Sequence, residues 1–371
     1  NADNLIDNFA AAIETDRPSA GSWKLDYEEF CKKFNVVPCP NIVCGVDQNQ
    51  AESCKVINAI VDLSSWRAML LACCATGSKV IDISVHGSRL SPQHISDLAT
   101  ALNKITTCRS VKLQYLDWKG DNGINETNSA AYQNALISLL SDSTWLESVS
   151  LNGNNFTAEF MAPVLASLAQ SFKLVSLSFS NNFLNDDSVR QFLKAVRCCS
   201  NIKLVCFANN QITGECVTTL AELLNGTEQN AEDEAAVKAN SKAIADKNKA
   251  IKELNKKRKK ANLPDLKEIT PSLEVGIKRE KTMYLVNRTL KRVDFSGNMT
   301  MKIECVQALS QALADCPQTV PLPQAAATFQ VDGDMKLLID FRNCFENAGD
   351  VAAAAVAAHA EPQAWVEVLT S

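Results

Sequence analysis

Histidine is scarce in this chain. Among 371 residues there are three, His86, His94 and His359, and they lie far apart in the sequence. No spacing gathers them into a metal-ligand set or beside a nucleophile. Fourteen cysteines are present, yet no CxxC pair occurs, which excludes zinc-finger spacing. No glycine-rich phosphate loop is found. "VDGD" at Val331–Asp334 carries two acids without the length of a calcium loop. No run of about 18 apolar residues occurs, so a membrane span is not expected. These absences point away from an enzyme, a metal site or a bound cofactor, and the expectation is that the chain has none of them.

What is present suits a large buried core: 46% of residues are hydrophobic and 21% charged. A net charge of −5 argues against a wholly basic nucleic-acid binder but allows a local basic patch. The cysteines sit at scattered, often apolar positions such as Cys198, Cys206, Cys216 and Cys305. They read as reduced, buried small hydrophobes. The opening residues show no signal-peptide pattern. Five N-x-S/T sequons, at Asn125, Asn155, Asn225, Asn287 and Asn298, point the other way, towards secretion.

An internal repeat weighs against that hint. Three segments fit L-x-x-L-x-L-x-x-N-x-L: Leu146, Val149, Leu151, Asn154, Phe156; Leu174, Leu177, Phe179, Asn182, Leu184; and Ile202, Val205, Phe207, Asn210, Ile212. They begin 28 residues apart. Further copies fit at Leu290–Thr300, with Asn298 in its slot, at Cys108–Trp118, with Leu116 where Asn is expected, and at Val80–Leu90, with Ser88 there. Degenerate copies lie near Glu52–Asp62 and at Lys336, Ile339, Phe341 and Cys344.

Alternating apolar positions predict a short strand buried on one face. The chain then turns, and an Asn side chain can donate and accept to satisfy the backbone groups left over. Asn154, Asn182, Asn210 and Asn298 therefore form an expected ladder. Helical spacing follows each turn, as at Phe160, Val164 and Leu168. No strand–turn–helix unit buries its apolar face alone, so the units must stack. The pattern resembles the leucine-rich repeat family, in the 28-residue ribonuclease-inhibitor subtype also found in tropomodulins and Ran GTPase-activating proteins. The resemblance implies an α/β solenoid, a horseshoe with parallel strands on its concave face and helices outside. It also implies that Asn298 is buried and carries no glycan, which favours the cytoplasm.

The expected organisation is a cap over residues 1–50, repeats over 51–226, an insertion over 227–286, a repeat over 287–316 and a second cap over 317–371. Ala, Lys and Glu dominate the insertion, and no Pro interrupts it before Pro264, so it reads as a long helix. Val237, Ile244 and Ile251 recur at seven, too thin a seam for a coiled coil. Lys256, Lys257, Arg258, Lys259 and Lys260 close it, an electrostatic contact for an acidic partner or a solvated helix end. Aromatics for stacking on bases are missing before Tyr284, so nucleic acid is not expected as a partner.

The outward strand positions compose a second candidate surface. It is rich in serine, including Ser150 and Ser178, then turns apolar at Leu204, Cys206 and Ala208, with Arg292 beyond. The expected function is a non-catalytic protein-interaction scaffold. Leucine-rich repeat proteins recur in cytoskeletal assemblies, cilia and flagella among them, and "NKKRKKANLP" resembles insertions of flagellar members. Tubulin or axonemal components are the candidate partners. The alternative is a regulator of an enzyme, an inhibitor or a GTPase-activating protein, binding through the concave face. Against it, the chain ends "AWVEVLTS", where the Ran activators would have an acidic tail.

Overall fold

The computed structural model describes residues 9–15, 17–46, 51–118, 124–141, 143, 145–198, 201–260, 265–269, 276–279, 282–285, 287, 289–314, 337–345 and 366–369. The chain forms two compact units: Asn1–Phe156 with Gln170–Ser178, and Thr157–Ala169 with Phe179–Ser371.

In the first unit, β1 (Ile42–Val46) pairs antiparallel with β2 (Glu52–Ile57). From β2 onward the pairing is parallel, through β3 (Val80–His86), β4 (Ser110–Gln114), β5 (Ser148–Ser150) and β6 (Ser176–Ser178). Helices α1 (Phe9–Glu14), α2 (Trp23–Lys33), α3 (Leu63–Cys73), α4 (Pro92–Leu102) and α5 (Ser129–Ser141) complete it. Parallel strands need a crossover, and α3, α4 and α5 supply it from β2 through to β5. The strands place Val56, Val85, Val111, Leu113 and Val149 inside, as the alternation predicts. On the helix side the first unit buries Trp66, Leu98 and Tyr132. The Tyr132 hydroxyl donates to the Leu90 carbonyl, so its burial leaves no polar atom stranded.

Helix starts are capped by short polar residues. Asp62 accepts from the Ser65 amide, Thr157 from the Phe160 amide and Asn185 from the Ser188 amide. At α4 the cap is a reciprocal box of Ser91 and His94.

The second unit holds α6 (Ala158–Ser167), α7 (Asp186–Arg197), β7 (Leu204–Cys206) and α8 (Val217–Asn225). Its parallel sheet runs from β7 to β11 (Arg292–Asp294), β12 (Leu337–Asp340) and β13 (Val366–Leu369). Helix α10 (Glu304–Ala314) packs against α8. Phe179, Phe207, Phe295 and Phe341 occupy one repeat slot and stack, with ring centroids 5.6, 6.2 and 5.6 Å apart. All four are fully buried, and the stack is the spine of this core.

Between β7 and β11 lie β8 (Thr227–Glu228), the 30-residue helix α9 (Ala231–Lys260), β9 (Gly276–Arg279) and β10 (Thr282–Leu285). The long helix was legible from composition. The three-stranded antiparallel sheet β8–β10–β9 that closes the base of this excursion was not. Despite the excursion, Leu204, Val205 and Cys206 pair with Arg292, Val293 and Asp294 as direct neighbours.

Candidate interaction surfaces

The turn after each strand organises the sheet ends. The Asn298 side chain, with no exposed surface, accepts from the amides of Asn210 (3.0 Å) and Ile212 (3.2 Å). It donates to the carbonyls of Phe207 (3.0 Å) and Phe295 (2.7 Å). Asn210 accepts from the Leu184 amide and donates to the Phe179, Phe207 and Ala208 carbonyls. Asn182 donates to Phe179 and Ser180. Asn154 accepts from the Leu116 amide and donates to the Leu113 carbonyl. Each amide thus satisfies backbone groups that the strand ladder leaves over. Ser88 does this in its own copy, accepting from the Ala59 amide and donating to the His86 carbonyl. Cys344 donates to the Phe295 carbonyl.

A second signal in the same turn went unread in the sequence. The residue before the ladder position has positive φ in copy after copy: Gly87, Gly153, Asn181, Asn209, Gly297 and Asn343. Glycine and asparagine are the residues that tolerate this conformation. The copy at β4 breaks the rule, placing Tyr115 at φ 49°. Its ring fills the space in front of Gly153, where an added Cβ would come within 2.3 Å of it. Tyr115 is 48% exposed, and its ring lies 5.3 Å from that of His86.

On the strand face opposite the helices, the first unit aligns Ser110, Ser148 and Ser176 in one row and Lys112, Ser150 and Ser178 in the next. Ser150 accepts from Gln114 (2.6 Å), Ser178 donates to Asn152 (2.7 Å) and Lys112 pairs with Asp82 (3.1 Å). In the second unit, register sets Leu204 beside Arg292. Arg292 reaches Asp294 and Asp340, each at 3.1 Å, and Arg342 also holds Asp340. Burial pushes the Asp340 carboxyl towards the neutral form, but Arg342 and Arg292 outweigh it and hold its pKa below the usual range.

The apolar trio on this face is less open than its sequence suggests. Leu204 is 41% exposed, Cys206 is half-buried and Ala208 is 8% exposed. Ala208 lies in the turn rather than the strand, where its carbonyl accepts from the Asn181 amide and from Asn210. It offers almost no contact area. The Cys206 sulfur lies 3.0 Å from the Ser180 hydroxyl, and burial raises its pKa, so it is a neutral thiol.

The histidines stay apart. His86 is exposed at the end of β3. The buried His94 faces Ser91 with Nδ1 and the Val61 carbonyl with Nε2 (3.0 Å), while His359 lies outside the described residues. No cluster of His, Cys, Asp or Glu among the described residues could hold a metal ion. Burial raises the thiol pKa of Cys108 and Cys305 to about 12, far from the thiolate range of reactive cysteines. No helix of the described residues is long and apolar enough to cross a membrane.

Lys256–Lys260 lie in the last turns of α9. Lys256 pairs with Glu253 (2.7 Å) and Lys259 with Asp265 (3.2 Å). Two asparagines on this helix were not singled out by sequence. Asn248 accepts from the Ile269 amide (2.7 Å) and donates to its carbonyl (2.8 Å). Asn255 does the same to Leu266, at 2.8 and 2.9 Å. Seven helical residues advance about 10.5 Å and three extended ones about 10 Å, so the two clamps match. They fasten segment 265–269 antiparallel along the helix, on which Ile244 and Ile251 are buried.

The base of α9 is tied to α7. Arg197 pairs with Asp233 (2.9 Å) and donates to the Glu228 carbonyl (3.1 Å). Asn230 and Asp233 cap the helix start reciprocally.

No protein-family profile matches the chain, and no curated protein does. Solved structures do. The tropomodulin C-terminal domain of Caenorhabditis elegans matches at 14% identity and TM-score 0.30, over 59% of this chain and 91% of that one. Leiomodin-1 actin-binding site 2 matches at 14% identity and TM-score 0.28, over 46% and 95%. The functional reading rests instead on the geometry above.

Proposed function

We propose that the chain is a non-catalytic protein-interaction scaffold of the cytoplasm. In this reading residues 51–226 and 287–316 are repeats of the ribonuclease-inhibitor subtype, 1–50 and 317–371 are caps, and 227–286 is an inserted contact element. The carrying observation is that β7 and β11 pair in register across the excursion. The strand pairing runs on directly across the inserted residues, so a 30-residue charged helix at that point is best explained by a contact outside the sheet. Its basic end, Lys256–Lys260, suits an acidic partner. A cytoskeletal assembly of a cilium or flagellum, with tubulin or axonemal components as partners, is the finer form of the proposal.

The second reading is a regulator of an enzyme, a GTPase-activating protein or an inhibitor. It is favoured by the exposed Leu204 beside Arg292 and by Ser150 and Ser178 on the strand face. One experiment separates them. Complexes are purified from the source cell with the intact chain and with a chain lacking residues 227–286. A large assembly lost on deletion supports the scaffold. One small enzyme retained by both chains supports the regulator.

A further inference from the structure

The five basic residues at the end of α9 do not form one surface. A helix turns about 100° per residue, so Lys256–Lys260 are dealt all round it. Arg258 falls on the half-buried side, next to the face that Asn248 and Asn255 fasten to segment 265–269. A different set lines up. Lys238, Lys242, Lys249, Lys252, Lys256 and Lys260 share a face about 80° wide and extend over about 33 Å at 1.5 Å per residue. All six are exposed. They lie opposite Asp233, Asn240, Ile244 and Ile251, the buried residues of the helix. The asparagine clamps cover the side of the helix away from the row and leave the lysines open.

From Lys238 to Lys260 there are ten lysine and arginine residues against two acids, Asp246 and Glu253, in a chain of net charge −5. Three of the lysines hold carboxylates: Lys238 with Glu234, Lys252 with Glu268 and Lys256 with Glu253. Those pairs are open to solvent, with side chains 46–75% exposed, so a partner's carboxylates can replace them at little cost. Lys242, Lys249 and Lys260 have no ion pair among the described residues. Like charges ranged on one rigid face raise the energy of the free helix, and an anionic partner lowers it.

We propose that this lysine row is the docking surface of the insertion, and that it binds an extended acidic protein segment lying along α9. The proposal rests on the scaffold reading and names its partner by chemistry. Protein carboxylates fit better than nucleic acid. The row is all lysine, a point charge, with none of the arginine forks suited to phosphate and bases. No aromatic residue stands on the helix to stack on a base.

The test uses the full chain and a fluorescent twelve-residue polyglutamate peptide, with binding read by anisotropy at fixed ionic strength. Two double variants carry the same change of charge. K242E/K249E lies on the row, about 16 Å and more from the helix end, and K257E/K259E lies off it. The expected result is a loss of at least tenfold in affinity for the first and under threefold for the second. Equal losses, or none, overturn the proposal, because charge alone or another surface then explains binding. Tighter binding of a twelve-base-pair RNA duplex than of the peptide at the same salt also overturns it and makes the row a nucleic-acid site. Helical circular dichroism confirms that both variants fold. If complexes from the source cell survive K242E/K249E but are lost when residues 227–286 are deleted, the lysine row fails while the scaffold stands. If they survive both, the scaffold fails too.

Discussion

Tyr115 is the residue where local preference and structure disagree most. Its left-handed φ of 49° suits glycine or asparagine, and holding a bulky side chain there costs roughly 1–3 kcal/mol. The ring recovers part of that against Gly153 and His86. Tyr115→Asn is expected to raise stability by about 1 kcal/mol, measured by urea unfolding. A loss of stability would show that the ring's packing outweighs the strain.

Asn298 is the opposite case, a side chain matched to its surroundings. Asn298→Ala takes the acceptor from the Asn210 and Ile212 amides and one donor each from the Phe207 and Phe295 carbonyls, which keep Asn210 and Cys344, and an expected loss of about 3 kcal/mol follows. A change under 1 kcal/mol in chemical denaturation would show that the turn rearranges to satisfy itself. The ladder was legible because its residue type and its spacing coincide. The glycine or asparagine just before it carried equal information, but two residue types sharing one slot make a fainter pattern.

His94 carries a pH dependence. Its Nδ1 accepts from Ser91, and its Nε2–H donates to the Val61 carbonyl, which makes it a neutral imidazole. Burial lowers its pKa below the ordinary 6.5, despite the raising influence of the Val61 hydrogen bond, Asp97 and Asp62. The unfolded chain therefore takes up this proton first. The stability contributed by the neutral form is complete above pH 6.5 and drains away as pH falls below it towards the folded value. His94→Gln keeps an acceptor at the cap. It is expected to show a shallower fall in Tm between pH 7 and 5 than the parent chain. Identical slopes would place the acid sensitivity elsewhere.

At the scale of elements, the insertion helix is held by polar contacts. Its composition favours a helix, but a helix this polar has little apolar area with which to hold a second segment. The asparagine clamps supply that. Asn248→Ala with Asn255→Ala is expected to raise hydrogen exchange at the Leu266 and Ile269 amides by at least a hundredfold while the α9 amides change little. Unchanged protection at those two amides would mean that Ile244 and Ile251 hold the segment by apolar contact alone. Nothing in the sequence marks this clamp. Asn248 and Asn255 are two polar residues on a polar helix, and their partners are backbone groups, which carry no sequence signature.

Asp186 gives a similar lesson one repeat earlier. Its carboxylate accepts from the amides of Thr213, Gly214 and Cys216 and from the Thr213 hydroxyl. Burial alone would raise its pKa, but the hydrogen bonds from Thr213 and Cys216 prevail and hold it low. An acid in the first turn of a helix reads as ordinary dipole complementarity. Here it also pins the turn that leads into the helix of the next repeat, α8.

At the scale of the whole chain, the sheet pairs β7 directly with β11 across the excursion. Excising residues 227–286 restores the 28-residue interval from Ile202 to Leu290. The shortened chain is expected to fold cooperatively, with a Tm within about 8 °C of the parent, since the lost ties, such as Arg197 with Asp233, lie outside the phenylalanine spine. A chain that fails to fold would make the excursion part of the core.

The sequence by itself determined the repeat: which residues alternate into the sheet, where Asn154, Asn182, Asn210 and Asn298 fall, and where the period breaks. Those features are local and recur, so each copy reports the same physics again. Only the tertiary structure decided which surfaces are open. Ala208 proved buried, in a turn where its carbonyl accepts from Asn181 and Asn210, and Tyr115 proved exposed although its ring lies against Gly153. Lys256–Lys260 were parted around a helix, one side of which is covered by a later segment held by two asparagines. Exposure depends on what packs against a residue from elsewhere in the chain. A single local pattern does not contain that.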